Sequence, residues 1–278
     1  MSGHNLSQDF KDCGVMIDLH SHILPGVDDG AADLQTSLAM ARAYVADGVA
    51  IVACTPHILP GVYANSGPSI RSAVAELQAE LDRAGIALRL VAGADVHITP
   101  GWVEGLRRGD LLSIADSRYV LVELPRHVAP PRFEAALFDL VSAGYVPILT
   151  HPERLLWLSA RYDCVARLVA AGVWVQVTAG ALAGHFGARV REIAERLLDD
   201  GLVHILATDA HGDVRRRPDL RAGFALAGSR VGQRSAWELV ATRPRGVIEN
   251  MLPESLLNLS IAVGERGEAA PDSNRGGE

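Results

Sequence analysis

The stretch Asp18-Leu19-His20-Ser21-His22 closes the apolar run Val15-Met16-Ile17. Alternate side chains of an extended strand share a face, so Asp18, His20 and His22 are expected to point one way and Leu19 and Ser21 the other. Two imidazoles and a carboxylate at the end of a buried strand suit a divalent metal, the carboxylate either ligating or orienting an imidazole. A single His-x-His is a modest signal. Here later strand-like runs end the same way. His57 follows the run 49–54, Asp95 follows 87–92, Glu123 follows 119–122, His151 follows 146–149 and Asp209 follows 203–207. Asp29 lies in the first loop, and His211 shares the face of Asp209 by the same period of two. Nine such donors exceed the needs of one ion. At roughly four to six ligands per ion, with bridging carboxylates, they suit two or three. Neighbouring cations repel, so an anionic bridge must lie between them. Such a centre acidifies a water and clamps an oxyanion.

The elements that must position these residues alternate along the chain. After the first strand, the Pro/Gly/Asp-rich segment 23–30 is a loop. Asp33 caps a helix over 34–47 with Leu34, Leu38, Ala41 and Val45 on one stripe, and Gly48 stops it. Strand 49–54 runs into Thr55-Pro56-His57. Pro68 opens a helix that Gly85 ends. Further strands are read at 87–92, 119–122, 146–149, 173–177 and 203–207. Helices are read at 102–107, 131–143, 160–171, 189–200 and through most of 220–252. About seven β/α alternations with continuous apolar strands indicate a parallel sheet covered by helices. The expected fold class is α/β, a distorted TIM-like (β/α)7 barrel in one domain over 15–252. In such barrels the chemistry collects at the C-terminal strand ends.

Size and charge agree with this. A chain of 278 residues suits one α/β barrel, and 49% hydrophobic residues suffice for its core. The net charge of −7 speaks against nucleic-acid or anionic-membrane binding, and no apolar run is long enough to span a bilayer. Cys13, Cys54 and Cys164 are few and odd in number, which fits a reduced, cytoplasmic setting. Residues 1–14 are polar and read as an extension, not a signal peptide, with Met16 a possible alternative start. The segment 264–278 reads as a disordered tail.

Seven stretches together resemble the polymerase-and-histidinol-phosphatase (PHP) superfamily. They are Met16-Ile17-Asp18-Leu19-His20-Ser21-His22, Gly26-Val27-Asp28-Asp29-Gly30, Thr55-Pro56-His57, Gly93-Ala94-Asp95, Asp116-Ser117-Arg118-Tyr119 with Glu123, His151-Pro152-Glu153-Arg154 and Thr208-Asp209-Ala210-His211. More narrowly, the chain is similar to the bacterial manganese-dependent protein-tyrosine phosphatases of capsule and exopolysaccharide operons. The Gly-Val-Asp-Asp-Gly and His-Pro-Glu-Arg runs are the specific part. The resemblance implies a trinuclear site. His20, His22, Asp95 and Asp209 would hold one ion, Asp95, Glu123 and His151 a second, and Asp29, His57 and His211 a third. It implies Mn2+, with Fe, Zn, Mg or Co as alternatives. It also implies Arg154, Asp209 and His211 in catalysis, and phosphate binding by Arg154 with an arginine of the run 215–217, assigned to Arg217. Asp95 departs from the family, which usually carries a bridging glutamate one methylene longer.

The reaction these features imply is phosphomonoester hydrolysis by a metal-activated hydroxide, with a tyrosine-phosphorylated protein, such as a bacterial tyrosine kinase, as partner. Histidinol-phosphate phosphatase is the nearest enzymatic alternative, and a non-catalytic regulatory partner with an altered metal site is another. A cysteine nucleophile is excluded by sequence. That chemistry needs Cys-x5-Arg, and the residues six beyond the three cysteines are Leu19, Pro60 and Ala170. Asp28 is a turn former, and His4 belongs to the N-terminal tail. His97 and His127 are surface residues, His204 starts a strand, and His185 lacks the strand-end pattern and any matching motif. Tyr63 and Asn65 pack a loop.

Overall fold

The longer strands of the computed structural model, which describes residues 14–257, are largely apolar and buried on both faces. The expected extension up to residue 13 and the tail from residue 264 lie outside the described residues. In order the elements are β1 (Met16–Ser21), α1 (Leu34–Asp47), β2 (Val49–Cys54), β3 (His57–Ile58), α2 (Gly67–Arg83), β4 (Arg89–Ala92), β5 (Asp95–His97) and α3 (Trp102–Arg108). There follow β6 (Tyr119–Glu123), α4 (Phe133–Ser142), β7 (Val146–Thr150), α5 (Asp163–Ala170), β8 (Trp174–Thr178), α6 (Ala179–Leu182), α7 (Ala188–Asp199) and β9 (Ile205–Ala207). Then come α8 (Leu220–Val231), α9 (Gln233–Trp237) and α10 (Arg243–Ile248), with a π-helical turn at Glu238–Thr242, and the described chain closes on a helical stretch at 253–257.

All strand pairs are parallel, in the orders β1-β2-β4 and β3-β5-β6-β7-β8-β9. The two ladders are parts of one wall. β3 continues β2 beyond Thr55-Pro56, and β5 continues β4 beyond Gly93-Ala94. Proline has no N–H to give a ladder, which is why the pairing lapses there. Gly93 N still donates to Cys54 O at 3.0 Å and Asp95 N to Pro56 O at 3.2 Å. At the seam Asp209 N donates to His20 O and His22 N to Ala210 O, both at 2.9 Å, and Ser21 bridges Ala210 in parallel. Seven strands thus form a ring whose first and last members touch at their C-terminal ends without a full ladder, the distortion the sequence reading anticipates.

The side chains sort accordingly. Ile17, Leu19, Ile51, Ala53, Tyr119, Leu121, Val146, Ile148, Trp174, Ile205 and Ala207 fill the interior, while the intervening Val52, Cys54, Val120, Val122, Val175 and Leu206 pack under the helices. Local signals explain the helix ends. Asp33 Oδ1 accepts Thr36 N at 2.8 Å, and Gly48 closes α1 with φ 88°. Two details differ from the sequence reading. The buried face of α1 is Ser37, Leu38, Met40, Ala41 and Tyr44, and Val45 is exposed, because the stripe follows the polar Ser37 and the long Tyr44, which reach Ile23 and Thr208 just past β1 and β9. β1 slips register against β2 between Asp18 and Ser21, so Asp18 does not share the face of His20.

Candidate metal centre

The strand ends bring all nine sequence-selected donors into one cluster. Within it, ligand atoms of His22, Asp29, His57 and His211 lie within 4.8 Å of one another, as do those of His20, His22 and Asp95, of His20, His151 and Asp209, and of Asp95, Glu123 and His151. His20 Nε2 lies 3.3 Å from His22 Nε2, 3.4 Å from Asp209 Oδ1 and 3.5 Å from Asp95 Oδ2, and His22 Nε2 lies 3.4 Å from Asp209 Oδ1. An ion with bonds of ~2.1 Å separates its ligands by roughly 3.0–3.4 Å, so these spacings suit a shared cation. His57 Nε2 and His211 Nε2 each stand 3.5 Å from Asp29 Oδ1, and His151 Nε2 stands 3.7 Å from Glu123 Oε1.

Neighbouring groups aim the rings. His20 Nδ1–H donates to Gln176 Oε1 at 2.9 Å, His22 Nδ1–H to Asp28 Oδ2 at 2.6 Å and His211 Nδ1–H to the Asp209 carbonyl at 3.0 Å. Each bond commits Nδ1 as donor and leaves Nε2 facing the cluster, the tautomer a metal requires. Burial keeps His20 neutral, with its pKa down to about 3, and His57 likewise at about 4. His151 and His211 also fall below the usual value, chiefly through burial. Burial opposes a charge on His22 too, but Asp209 and Asp28 outweigh it and lift its pKa to about 10. The cavity therefore favours positive charge. Asp95 Oδ2 and His57 Nδ1 are buried without a hydrogen-bond partner. Burial and the Glu123 charge raise the pKa of the Asp95 carboxyl well above the usual range. Glu123 stays below that range despite burial, through His97, His151 and His57. Orphaned polar atoms, inward lone pairs and two carboxylates competing for one space together fit divalent cations.

Two of the candidate ligands sit in strained backbone. His151 has φ 33° and Asp209 φ 51°, a region that non-glycine residues rarely adopt. The His151 turn swings Arg154 inward, while the buried Glu153 Oε1 accepts Thr178 N at 2.9 Å. Arg154 and Arg216 both donate to Asp209 Oδ2, and Arg154 also lies over the Phe186 ring at 4.9 Å. Arg216, not Arg217, is thus the arginine of the 215–217 run that reaches the cluster. Arg217 is 64% exposed and faces Asp219 at 3.7 Å. The chain turns at Arg216 with φ 52°, which directs one side chain in and its neighbours out.

Other residues differ from their sequence reading. Asp18 neither ligates nor orients an imidazole. It accepts hydrogen bonds from Thr208 N at 3.2 Å, from Thr208 Oγ1 and from His20 N at 3.1 Å, pinning the β1–β9 seam. Asp28 is more than a turn former, since it holds both His22 and the His57 N–H. His97 Nε2 lies 2.8 Å from Glu123 Oε2 and forms a further group of possible ligands with His57 and Glu123. Asp95-Val96-His97 repeats the spacing of Asp209-Ala210-His211, a signal present in the sequence. Gln176 is a lone polar residue in an apolar strand, another such signal. Tyr63 stacks on His57 at 5.5 Å, and Asn65 Nδ2 donates to the carbonyls of Val27 and His57, so both do pack the loop.

Residues 16–249 match the family described as Capsular polysaccharide synthesis, CpsB/CapC. The chain belongs to the CpsB/CapC family. Among CpsB/CapC relatives, it is 38% identical to the tyrosine-protein phosphatase YwqE of Bacillus subtilis over 196 residues, 70% of this chain and 77% of that protein. It is 26% identical to the tyrosine-protein phosphatase CpsB of Streptococcus pneumoniae over 242 residues, 85% of this chain and 100% of that protein. A structure from the work on YwqE and CpsB, described as unique metal-dependent tyrosine phosphatases, superposes with a TM-score of 0.82 at 33% identity, covering 85% of this chain and 96% of that one. The histidinol phosphate phosphatase of Lactococcus lactis, solved with zinc, L-histidinol and phosphate, matches at a TM-score of 0.51 and 13% identity, covering 80% and 93%, a likeness of fold alone.

Proposed function

We propose that this chain is a metal-dependent protein-tyrosine phosphatase of capsular polysaccharide synthesis. The observation that carries the reading is the gathering of nine metal-type donors in one cluster at the C-terminal ends of the barrel strands, with two guanidiniums donating to one of them, the buried Asp209. Its CpsB/CapC membership and relatives named as tyrosine phosphatases support it.

In this reading His20, His22, Asp95 and Asp209 would hold one cation, Asp95, Glu123 and His151 a second, and Asp29, His57 and His211 a third. Asp95 is the one carboxylate common to two of these sets, and aspartate there retains the anion with a shorter reach. Bound there, two or three divalent ions, manganese foremost, would supply Lewis-acid charge and the acidity that readies a water. Arg154 and Arg216 turn from Asp209 towards the phosphoryl oxygens and stabilise their growing charge, with Phe186 keeping Arg154 extended. Asp28 and Gln176 hold the His22 and His20 rings in register throughout. Among the described residues no cysteine takes part. Cys54 and Cys164 are buried, and burial pushes both thiols up.

A cytoplasmic setting and a tyrosine-phosphorylated kinase as partner belong to the same reading. Among the described residues no helix is long and apolar enough to cross a membrane. The test compares turnover of a phosphotyrosyl peptide with that of histidinol phosphate by the manganese-loaded protein. A kcat/KM favouring the peptide is expected, and preference for histidinol phosphate would transfer the chain to the small-molecule alternative.

A further inference from the structure

The rim of the metal centre continues into a second, basic space. A cavity of about 570 Å3 opens beside Asp209, lined by His185, Phe186, Arg215, Arg216, Arg217 and Asp219 among others. It shares two walls with the cluster. Arg216 lines the cavity and also reaches Asp209, and Phe186 lines it while carrying Arg154. A group bound between Arg154 and Arg216 therefore has its neighbours directed into this space.

The charge of the cavity is only partly compensated, since Asp219 is the one acid in its lining. Arg216 has Asp209, and Arg217 has only Asp219 at 3.7 Å. Arg215 makes no hydrogen bond or ion pair among the described residues. The remaining acid of this loop, Asp213, is exposed and outside the lining. In a chain of net charge −7, three consecutive arginines around one cavity form a local reversal of sign. Phe186 and the exposed Val214 give the same space an apolar edge.

We propose that this cavity is a specificity subsite that takes an acidic side chain flanking the phosphorylated residue, with Arg215 and Arg217 as its anion-binding groups. The inference rests on the phosphatase reading above and names the substrate class within it. A carboxylate reaching Arg215 and Arg217 gains two partly exposed pairs, and a basic side chain there meets repulsion.

Three alanine-based phosphotyrosyl pentapeptides, with Glu, Gln or Lys on both sides of the phosphotyrosine, test this on the full chain loaded with manganese. The Glu peptide should exceed the Lys peptide in kcat/KM by about tenfold, mainly through KM, and the ratio should shrink as salt rises. In Arg215→Ala/Arg217→Ala, folded by circular dichroism, the Glu-to-Lys ratio should fall towards one. Single Arg215→Gln and Arg217→Gln variants give intermediate ratios and serve if the double variant does not fold. A wild-type ratio near one, or an undiminished ratio in the double variant, overturns the proposal. Anisotropy titrations with phosphonate forms of the same peptides read the ratio without turnover. A protein that discriminates in binding but hydrolyses none of the peptides would therefore refute the phosphatase reading and leave the subsite standing.

Discussion

A carboxylate that only turns the chain would face water, and Asp28 does not. Its Oδ2 accepts both His22 Nδ1–H and the His57 N–H, and its Oδ1 accepts Gly30 N at 2.9 Å. Removing it frees the His22 ring to rotate and to exchange tautomers. Asp28→Ala is accordingly expected to weaken metal binding by about 10–100-fold, read by titrating the stripped protein with Mn2+, with little change in circular dichroism. Cys54→Ser should leave metal-supported turnover of a phosphotyrosyl peptide nearly unchanged, because the thiol is buried and unionised. An inactive but folded variant would revive a thiol route. At this scale the nine donors were legible because strand ends repeat with a period of two. Asp18 was misread because a register slip breaks that period, which no residue type announces. Choosing between Arg216 and Arg217 failed for a related reason. A loop has no periodicity, and the left-handed turn at Arg216 decides which guanidinium enters.

Among the elements, the β1–α1 loop is the most tightly constrained. A Cβ placed on Gly30 would overlap the His22 carbonyl oxygen and Cβ, so only glycine lets the loop fold back on β1. Gly26 N donates to Ala31 O and Ala31 N to His22 O, closing the loop beneath Asp28 and Asp29. Gly30→Ala should displace both carboxylates at once. The expected result is a folded barrel that loses the weakest-held metal equivalent and at least about tenfold in kcat/KM, measured by elemental analysis and peptide turnover. The sequence showed this segment as a loop but not why its last glycine is needed, since the reason is a contact made only after folding. Strands and helices were legible from hydrophobic runs and caps to within a few residues. The breaks at Thr55-Pro56 and Gly93-Ala94 were not read as interruptions of single strands, because ladder pairing depends on neighbours distant in sequence.

For the whole molecule, closure of the ring separates a polar, metal-type end from an apolar interior and a base. His204 lies just before β9, buried against Trp174 at 5.0 Å, and its Nδ1 accepts Val175 N at 3.2 Å. Burial, with Arg243 nearby, lowers its pKa from 6.5 to about 3. The folded state therefore binds fewer protons at His204 than the unfolded chain between pH 3 and 6.5, and stability falls as pH drops through that window. Urea unfolding should show wild type losing about 1–2 kcal/mol more than His204→Gln between pH 7 and pH 5, and equal losses would contradict the assignment. The barrel class followed from length and alternation, whereas the seam at Ser21 and Ala210 could not, because it joins segments nearly two hundred residues apart. The central claim is that this end of the barrel works through bound cations. Its most direct measurement is elemental analysis of the purified protein, paired with phosphotyrosyl-peptide hydrolysis before and after chelation. Two or three divalent equivalents, loss of turnover in EDTA and best recovery with Mn2+ are predicted, and undiminished turnover by protein shown to be metal-free would contradict it.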